Sequence, residues 1–250
     1  MNNCYRDFSS IYDRLMTRDI PYARWADYIE NLFILYGIDP QLICELACGT
    51  GNMTIPLAQR GYEMIGVDLS AEMLAAAREK AARANADILF LNQDMTRLDL
   101  YGTVDAVLCM IDGFNYVLPP AALFSMLQRI KTCFLNPGGL VIFDVSTEYK
   151  LSTTIGGNTF IYDTDDIFYT WENRYFPKKR ISDMTLNFFV REKSGAYRRF
   201  TERHVQRAHR QAELACILAK AGFSNLQVFE ELTFSPPRPD SQRIVFAAQG

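Results

Sequence analysis

The feature that most constrains this chain is the stretch Leu42-Ile43-Cys44-Glu45-Leu46-Ala47-Cys48-Gly49-Thr50-Gly51-Asn52. A short apolar run, too short for a helix, leads into two glycines one residue apart, and a helical pattern follows from Met53. That order reads as buried strand, tight turn and helix start. Glycine tolerates positive φ and lets the backbone come close to whatever lies above the turn. In an open parallel α/β sheet, the crevice beyond the carboxyl end of such a strand is where ligands bind.

The rest of the first 145 residues fits this frame. Apolar runs at Leu42–Leu46, Glu63–Val67, Ile88–Leu91, Val104–Met110 and Leu140–Val145 alternate with helical periodicities at Met53–Arg60, Ala71–Ala84 and Ala121–Phe134. Alternation of this kind implies parallel strands joined by right-handed crossovers, a doubly wound α/β sheet. Two helical patterns precede it between Tyr5 and Tyr36, separated at Pro21. Asn225–Glu231 and Gln242–Ala248 read as two closing strands, after a helix from Gln211 to Ala221 that stops at Gly222. These complete a seven-stranded sheet.

About 60 residues between Ser146 and Arg210 are additional to it. Phe160-Ile161-Tyr162, Ile167–Tyr175, Ile181–Arg191 and Tyr197–Gln206 alternate apolar with polar residues around turn signals at Pro177-Lys178-Lys179 and Lys193-Ser194-Gly195. An antiparallel β meander inserted in the chain is expected. Residues 1–145 and 211–250 then form one domain, with 1–38 as a helical cover and 146–210 as an inserted subdomain.

Two ligand classes compete for the glycine turn. A nicotinamide or flavin dinucleotide fingerprint needs a third Gly or Ala where this chain has Thr54, and Gly-x-Gly alone is weak. Glu45-x-Ala47-x-Gly49-x-Gly51, however, resembles the first motif of the class I S-adenosylmethionine-dependent methyltransferases. Val67-Asp68-Leu69-Ser70, Asn92-Gln93-Asp94-Met95 and Asn136-Pro137-Gly138-Gly139 resemble that family's later segments, in the same order. The resemblance covers residues 40–145.

It implies S-adenosylmethionine as cofactor, held by Glu45, Ala47, Gly49, Gly51, Asp68, Leu69, Gln93, Asp94, Met95 and Met110. Asp68 would receive the ribose hydroxyls, Asp94 the adenine amino group, and Met95 would pack on the adenine ring. Glu45 would stabilise the glycine turn or face the methionine ammonium. An early tyrosine would face the cofactor from the helical cover: Tyr12 first, with Tyr5 and Tyr22 as the other candidates. The meander resembles the acceptor-covering strands of glycine-type and sugar-amine N-methyltransferases, where its rings, Trp171 and Tyr175 among them, can wall a cation.

For the acceptor side the chain offers Asp112, Asn115 and Tyr116, in the segment after the fourth strand. His204 and His209 are the two histidines, the groups whose ordinary pKa suits general-base work near neutrality. His204, near the end of the last inserted strand, is the candidate base, with Tyr116 and Asp112 as further catalytic candidates. No spacing of cysteines or histidines suggests a metal site or a disulfide framework.

Composition bounds the partners. A net charge of −3 and pI near 5.5 argue against a general nucleic-acid binder. Yet eleven basic residues lie between Trp171 and Arg210 against four acids: Glu172, Asp183, Glu192 and Glu202. They read either as the solvated face of strands or as a partner for an anionic acceptor. No apolar run is long enough for a membrane helix and Met1-Asn2-Asn3 is no signal peptide, so a cytoplasmic protein is expected, as monomer or homodimer.

The expected function is methyl transfer to a nitrogen or oxygen of a small molecule. A tRNA-modifying enzyme using the basic stretch, and a non-catalytic cofactor-binding regulatory module, are the alternatives.

Overall fold

The structure, a computed structural model, describes residues 9–250, without the side chains of residues 9, 10, 17 and 18. Tyr5, one of the tyrosine candidates, lies outside the described residues. The helices are α1 (Ser9–Asp19), α2 (Tyr22–Tyr36), α3 (Thr54–Gln59), α4 (Ala71–Arg83), α5 (Pro120–Arg129) and α6 (Gln211–Ala221). The strands are β1 (Leu42–Leu46), β2 (Glu63–Asp68), β3 (Ile88–Asn92), β4 (Val104–Cys109), β5 (Leu135–Ser146), β6 (Thr159–Asp163), β7 (Ile167–Phe176), β8 (Ile181–Arg191), β9 (Tyr197–Arg207), β10 (Ser224–Glu230) and β11 (Arg243–Gln249).

Seven strands form one sheet in the order β10-β11-β5-β4-β1-β2-β3, in which β11 alone runs against the others, antiparallel to both of its neighbours, β5 and β10. Strand order reverses at β1, which pairs with both β2 and β4, so the expected crevice opens above the glycine turn. Successive residues explain the layering. Ile43, Leu108, Ile142 and Val245 face Trp25, Ile29, Leu32 and Phe33 of α2, while Cys44, Val107, Phe143 and Phe246 face Leu123 and Leu127 of α5 and Leu214 and Leu218 of α6. Each such fully buried side chain contributes about 1.5–3 kcal/mol.

Local signals set the ends. Ser70 accepts a 3.1 Å bond from the Met73 amide and caps α4, which fixes Asp68 at the carboxyl end of β2. The expected helix 121–134 is shorter: α5 ends at Arg129, and residues 130–134 form a wider π turn before β5. The expected helix 53–60 contracts to Thr54–Gln59.

The inserted strands form a second antiparallel sheet, β6-β7-β8-β9, with full-length ladders. Its inner face packs Ile167, Tyr169 and Phe188 on Ile11 of α1 and Met73 of α4, so the N-terminal helix bridges the two sheets. No helix among the described residues is long and apolar enough to cross a membrane.

Candidate functional site

The site begins with the turn after β1. Ala47 takes φ +53°, Gly49 +54° and Gly51 +76°, which turn the chain away from the sheet. A Cβ on Gly49 would meet no atom within 4 Å, because that side is open space. Asp68 locks the turn to the next strand: its Oδ2 accepts from Gly49 N at 2.8 Å and its Oδ1 from Ser70 N at 2.8 Å. A carboxylate oxygen has a second acceptor direction, so Asp68 can still receive two hydroxyls from above.

Glu45 is 3% exposed at the end of β1, and its carboxylate accepts from the Thr54 hydroxyl. Burial, with Asp68 nearby adding to it, pushes its pKa up to about 8 against the pull of Thr54. Thr54 therefore holds the acid of the first motif.

Above the turn lies a cavity of about 440 Å³. Of the cofactor candidates, Tyr12, Glu45, Ala47, Gly49, Asp68, Leu69, Gln93, Asp94, Met95 and Met110 lie on its wall, as do Tyr22 and Tyr116. Gly51 does not: it faces Ile55 and Ala77 behind the turn. Gln93 reaches the wall, but its amide is turned away and exchanges hydrogen bonds of 2.9 Å with the backbone of Asp99. Asp94 caps a short 3₁₀ turn, its Oδ1 accepting from the Thr96 amide at 2.9 Å and hydroxyl at 2.7 Å, which leaves Oδ2 for a ligand.

The roof comes from the N-terminal helices. Tyr12 of α1 and Tyr22 of α2 both reach the cavity. Asp13, beside Tyr12, fastens α1 to the floor, its Oδ1 accepting from Thr50 at 2.6 Å and Asn52 at 2.8 Å and its Oδ2 from Lys80 at 2.7 Å. Sequence reasoning missed this latch, because nothing in a helical Asp marks its distant partner.

The acceptor candidates divide. Tyr116 is on the wall and its hydroxyl meets His204 Nδ1 at 3.0 Å. His204 itself stands behind Tyr116, 5% exposed, and burial pulls its pKa down to about 4 against the opposing pull of Asp112. It is therefore neutral near pH 7 and lies off the cavity wall, with Tyr116 between it and the ligand space. His209 is likewise buried against the Val117 carbonyl, with its pKa down to about 4.

Asp112 lies off the wall and binds Arg243 at 2.9 Å and Gln206 at 2.6 Å. Burial opposes its charge, but Arg243 and Lys150 outweigh burial and hold its pKa below the usual aspartate value. Asn115 is fully buried and donates to the carbonyls of Ser146 and Arg207, so it is a structural bridge.

No meander residue among those described lies on the cavity wall, so its rings do not supply the aromatic lining; Tyr12, Tyr22 and Tyr116 do. Much of the basic stretch is also engaged. Arg180 and Arg207 pair with Glu213, Arg203 with Asp183 and Arg210 with Glu148, while Arg174, Arg198 and Arg199 lie over phenylalanine rings.

These residues fit S-adenosylmethionine. The wall carries four acidic side chains, Glu45, Asp68, Glu72 and Asp94, and no Lys or Arg among the described residues, which suits a positively charged sulfonium and ammonium. Gly49, Asp68 and Asp94 stand in the sequence order that the resemblance assigns to turn, ribose and adenine.

Comparison with known proteins agrees. The family profile described as a methyltransferase domain matches residues 43–139. The YqeM protein of Bacillus subtilis (strain 168), which carries a methyltransferase name, is 35% identical over 98% of this chain and 96% of its own. A solved S-adenosylmethionine-dependent methyltransferase from Clostridium acetobutylicum ATCC 824 is 31% identical, with TM-score 0.89 over 99% of each chain. The sugar N-methyltransferase KedS8 from Streptoalloteichus sp ATCC 53650, 20% identical, shares the fold at TM-score 0.77 over 100% of this chain and 93% of its own. The chain belongs to the class I S-adenosylmethionine-dependent methyltransferases, and S-adenosylmethionine is its cofactor.

Proposed function

We propose that the chain methylates the nitrogen of a small amine. The observation that carries this is the acceptor side of the cavity, where Tyr116 presents its hydroxyl and His204 behind it is held neutral. An aliphatic alcohol must lose a proton as it is methylated and needs a base to take it. His204, down at about 4, and Asp112, held below its ordinary value, are poor bases near neutrality. A neutral amine brings its own lone pair and sheds its proton after transfer, so the site asks only for orientation.

Bound S-adenosylmethionine supplies an activated methyl on a positively charged sulfur. Tyr116 accepts an N–H from the amine, while the rings of Tyr12, Tyr22 and Tyr116 give the passing positive charge a favourable wall. As the N–C bond forms the S–C bond breaks, and the proton leaves the new ammonium to water. The fold shared with the sugar N-methyltransferase KedS8 supports nitrogen over oxygen.

The test is methyl transfer from labelled S-adenosylmethionine to a panel of small amines, their hydroxyl counterparts and bulk tRNA. Label is expected in an amine, with Tyr116→Phe lowering turnover about tenfold while S-adenosylhomocysteine affinity stays unchanged. Label only in a hydroxyl counterpart would sink the amine assignment, and label only in tRNA would sink the small-molecule reading.

A further inference from the structure

Two adjacent residues on the acceptor side, neither of them glycine, take left-handed backbone: Ile111 at φ +58° and Asp112 at φ +54°. Such a conformation is costly, above all for β-branched Ile111, and persists only where the surroundings over-determine it. The surroundings here are a buried charge cluster. Asp144 of β5, fully buried, accepts from both strained amides, Ile111 N on Oδ1 and Asp112 N on Oδ2 at 2.9 Å.

Arg243, at the start of the neighbouring β11, binds that same Asp144 carboxylate through Nη1. Through Nη2 it holds the Asp112 side chain at 2.9 Å, and its Nε meets Glu231 at 3.3 Å. Gln206 of β9 closes the ring on the other Asp112 oxygen. One guanidinium thus holds both the carboxylate that receives the strained amides and the side chain of the turn itself.

The turn leads straight into the wall. Met110, Ile111 and Gly113 line the cavity, and the 3₁₀ turn Gly113–Tyr116 that begins there delivers Tyr116. A Cβ at Gly113 would approach Cys109 Sγ to 2.5 Å and Ala47 Cβ to 3.1 Å, so this segment is seated with no slack against the glycine turn on the cofactor side. A displacement of the turn therefore moves the acceptor wall.

The geometry points to Arg243 and Asp144 as positioning residues for methyl transfer, which hold the Ile111–Asp112 turn, and through it Tyr116, in a preformed acceptor wall. This rests on the acceptor lying along Met110–Tyr116 and not on its being an amine. Neither residue falls within the segment matched by the methyltransferase-domain profile, residues 43–139.

The test compares wild type with Arg243→Met, Arg243→Lys and Asp144→Asn by amide exchange resolved to the segment 110–116, with S-adenosylhomocysteine binding measured alongside. Arg243→Met is expected to speed exchange of this segment about 30-fold or more while β1 and β2 stay protected and affinity stays within about twofold. Arg243→Lys, which keeps one charged contact, is expected to fall between the two. With whichever acceptor the label assay yields, turnover should drop in Arg243→Met and partly recover in Arg243→Lys at unchanged cofactor KM.

Unchanged exchange in 110–116 overturns the inference, and so does loosening spread evenly over the whole sheet with cofactor affinity lost. If Arg243→Met does not fold, Asp144→Asn and Arg243→Lys decide by the same criteria. Failure of every amine in the panel would leave the exchange result standing, so the two readings fail separately.

Discussion

Thr54, the first residue of α3, donates its hydroxyl to the carboxylate of Glu45, and both side chains are buried. This contact stands where a dinucleotide-binding turn would carry its third small residue. It makes the glycine turn depend on the protonation of one acid.

Glu45 should therefore give the protein an inverse pH dependence. With its folded pKa raised to about 8, the folded state keeps a proton that the unfolded chain gives up near pH 4.5. Stability contributed by this group falls as pH rises from about 4.5 to about 8 and is level above, by on the order of 5 kcal/mol at most. Glu45→Gln should flatten that slope in urea titrations run from pH 5 to 8.5. Binding of S-adenosylhomocysteine near pH 7 should release protons in wild type and fewer in the variant, read by calorimetry in two buffers.

The two histidines act in the opposite sense. Both have folded pKa values down at about 4, so in the unfolded chain they take up protons first, near pH 6.5. Their contribution is present above 6.5 and is lost as pH falls towards 4, by about 3 kcal/mol each as an upper bound. His204→Gln should remove roughly half of the histidine contribution to acid destabilisation in this window, measured by denaturant midpoints at pH 4.5, 5.5 and 7.

Asp13 should govern how long the cofactor stays. Its carboxylate joins α1, which carries Tyr12, to Thr50, Asn52 and Lys80 beneath it. Its side chain is 35% exposed, so the loss is smaller than for a buried network. Asp13→Ala is expected to raise the dissociation rate of S-adenosylhomocysteine about tenfold, from roughly 1.4 kcal/mol of lost hydrogen bonding, with a smaller change in association. Stopped-flow displacement measures both.

The basic stretch of the meander should not hold tRNA. Arg180, Arg207, Arg203 and Arg210 already have carboxylate partners. Binding to bulk tRNA should be weak at 50 mM salt and absent at 200 mM, with a shallow salt slope, whereas a dedicated phosphate-binding face loses affinity steeply over that range. Filter binding at the two salt concentrations decides it.

How much of this was legible beforehand follows from the range of the interactions. The glycine turn, Asp68 before its capped helix and the β-α alternation are local, and the structure places them as the residues imply. Most of the cavity lining was legible for the same reason: Glu45, Asp68 and Asp94 stand at or just beyond the carboxyl ends of successive strands, whereas Glu72, in the first turn of α4, was not singled out. The acceptor side is non-local. His204 in a strand of alternating residues gives no sign that it will sit behind Tyr116, 88 positions earlier, and lose its basicity to burial. Asp112 looked available because Arg243 is 131 positions away.

One signal for Arg243 and Asp144 was present and went unread. Phe143-Asp144-Val145 and Arg243-Ile244-Val245 put opposite charges into otherwise apolar strands, and such charges are costly in a core unless they find each other. Adjacent strands with one charge each are a pairing signal, provided that the strand order is known.

The side chain of Asn115 gathers both ends of the inserted segment. Its amide donates to the Ser146 and Arg207 carbonyls, and its oxygen accepts from the Ser146 amide. The 60-odd residues between therefore leave and rejoin the main sheet at a single point. A chimaera that exchanges this segment for a relative's, joined at those two positions, would cut no strand of the main sheet, and it would exchange His204 behind Tyr116 and Gln206 on Asp112 along with the meander.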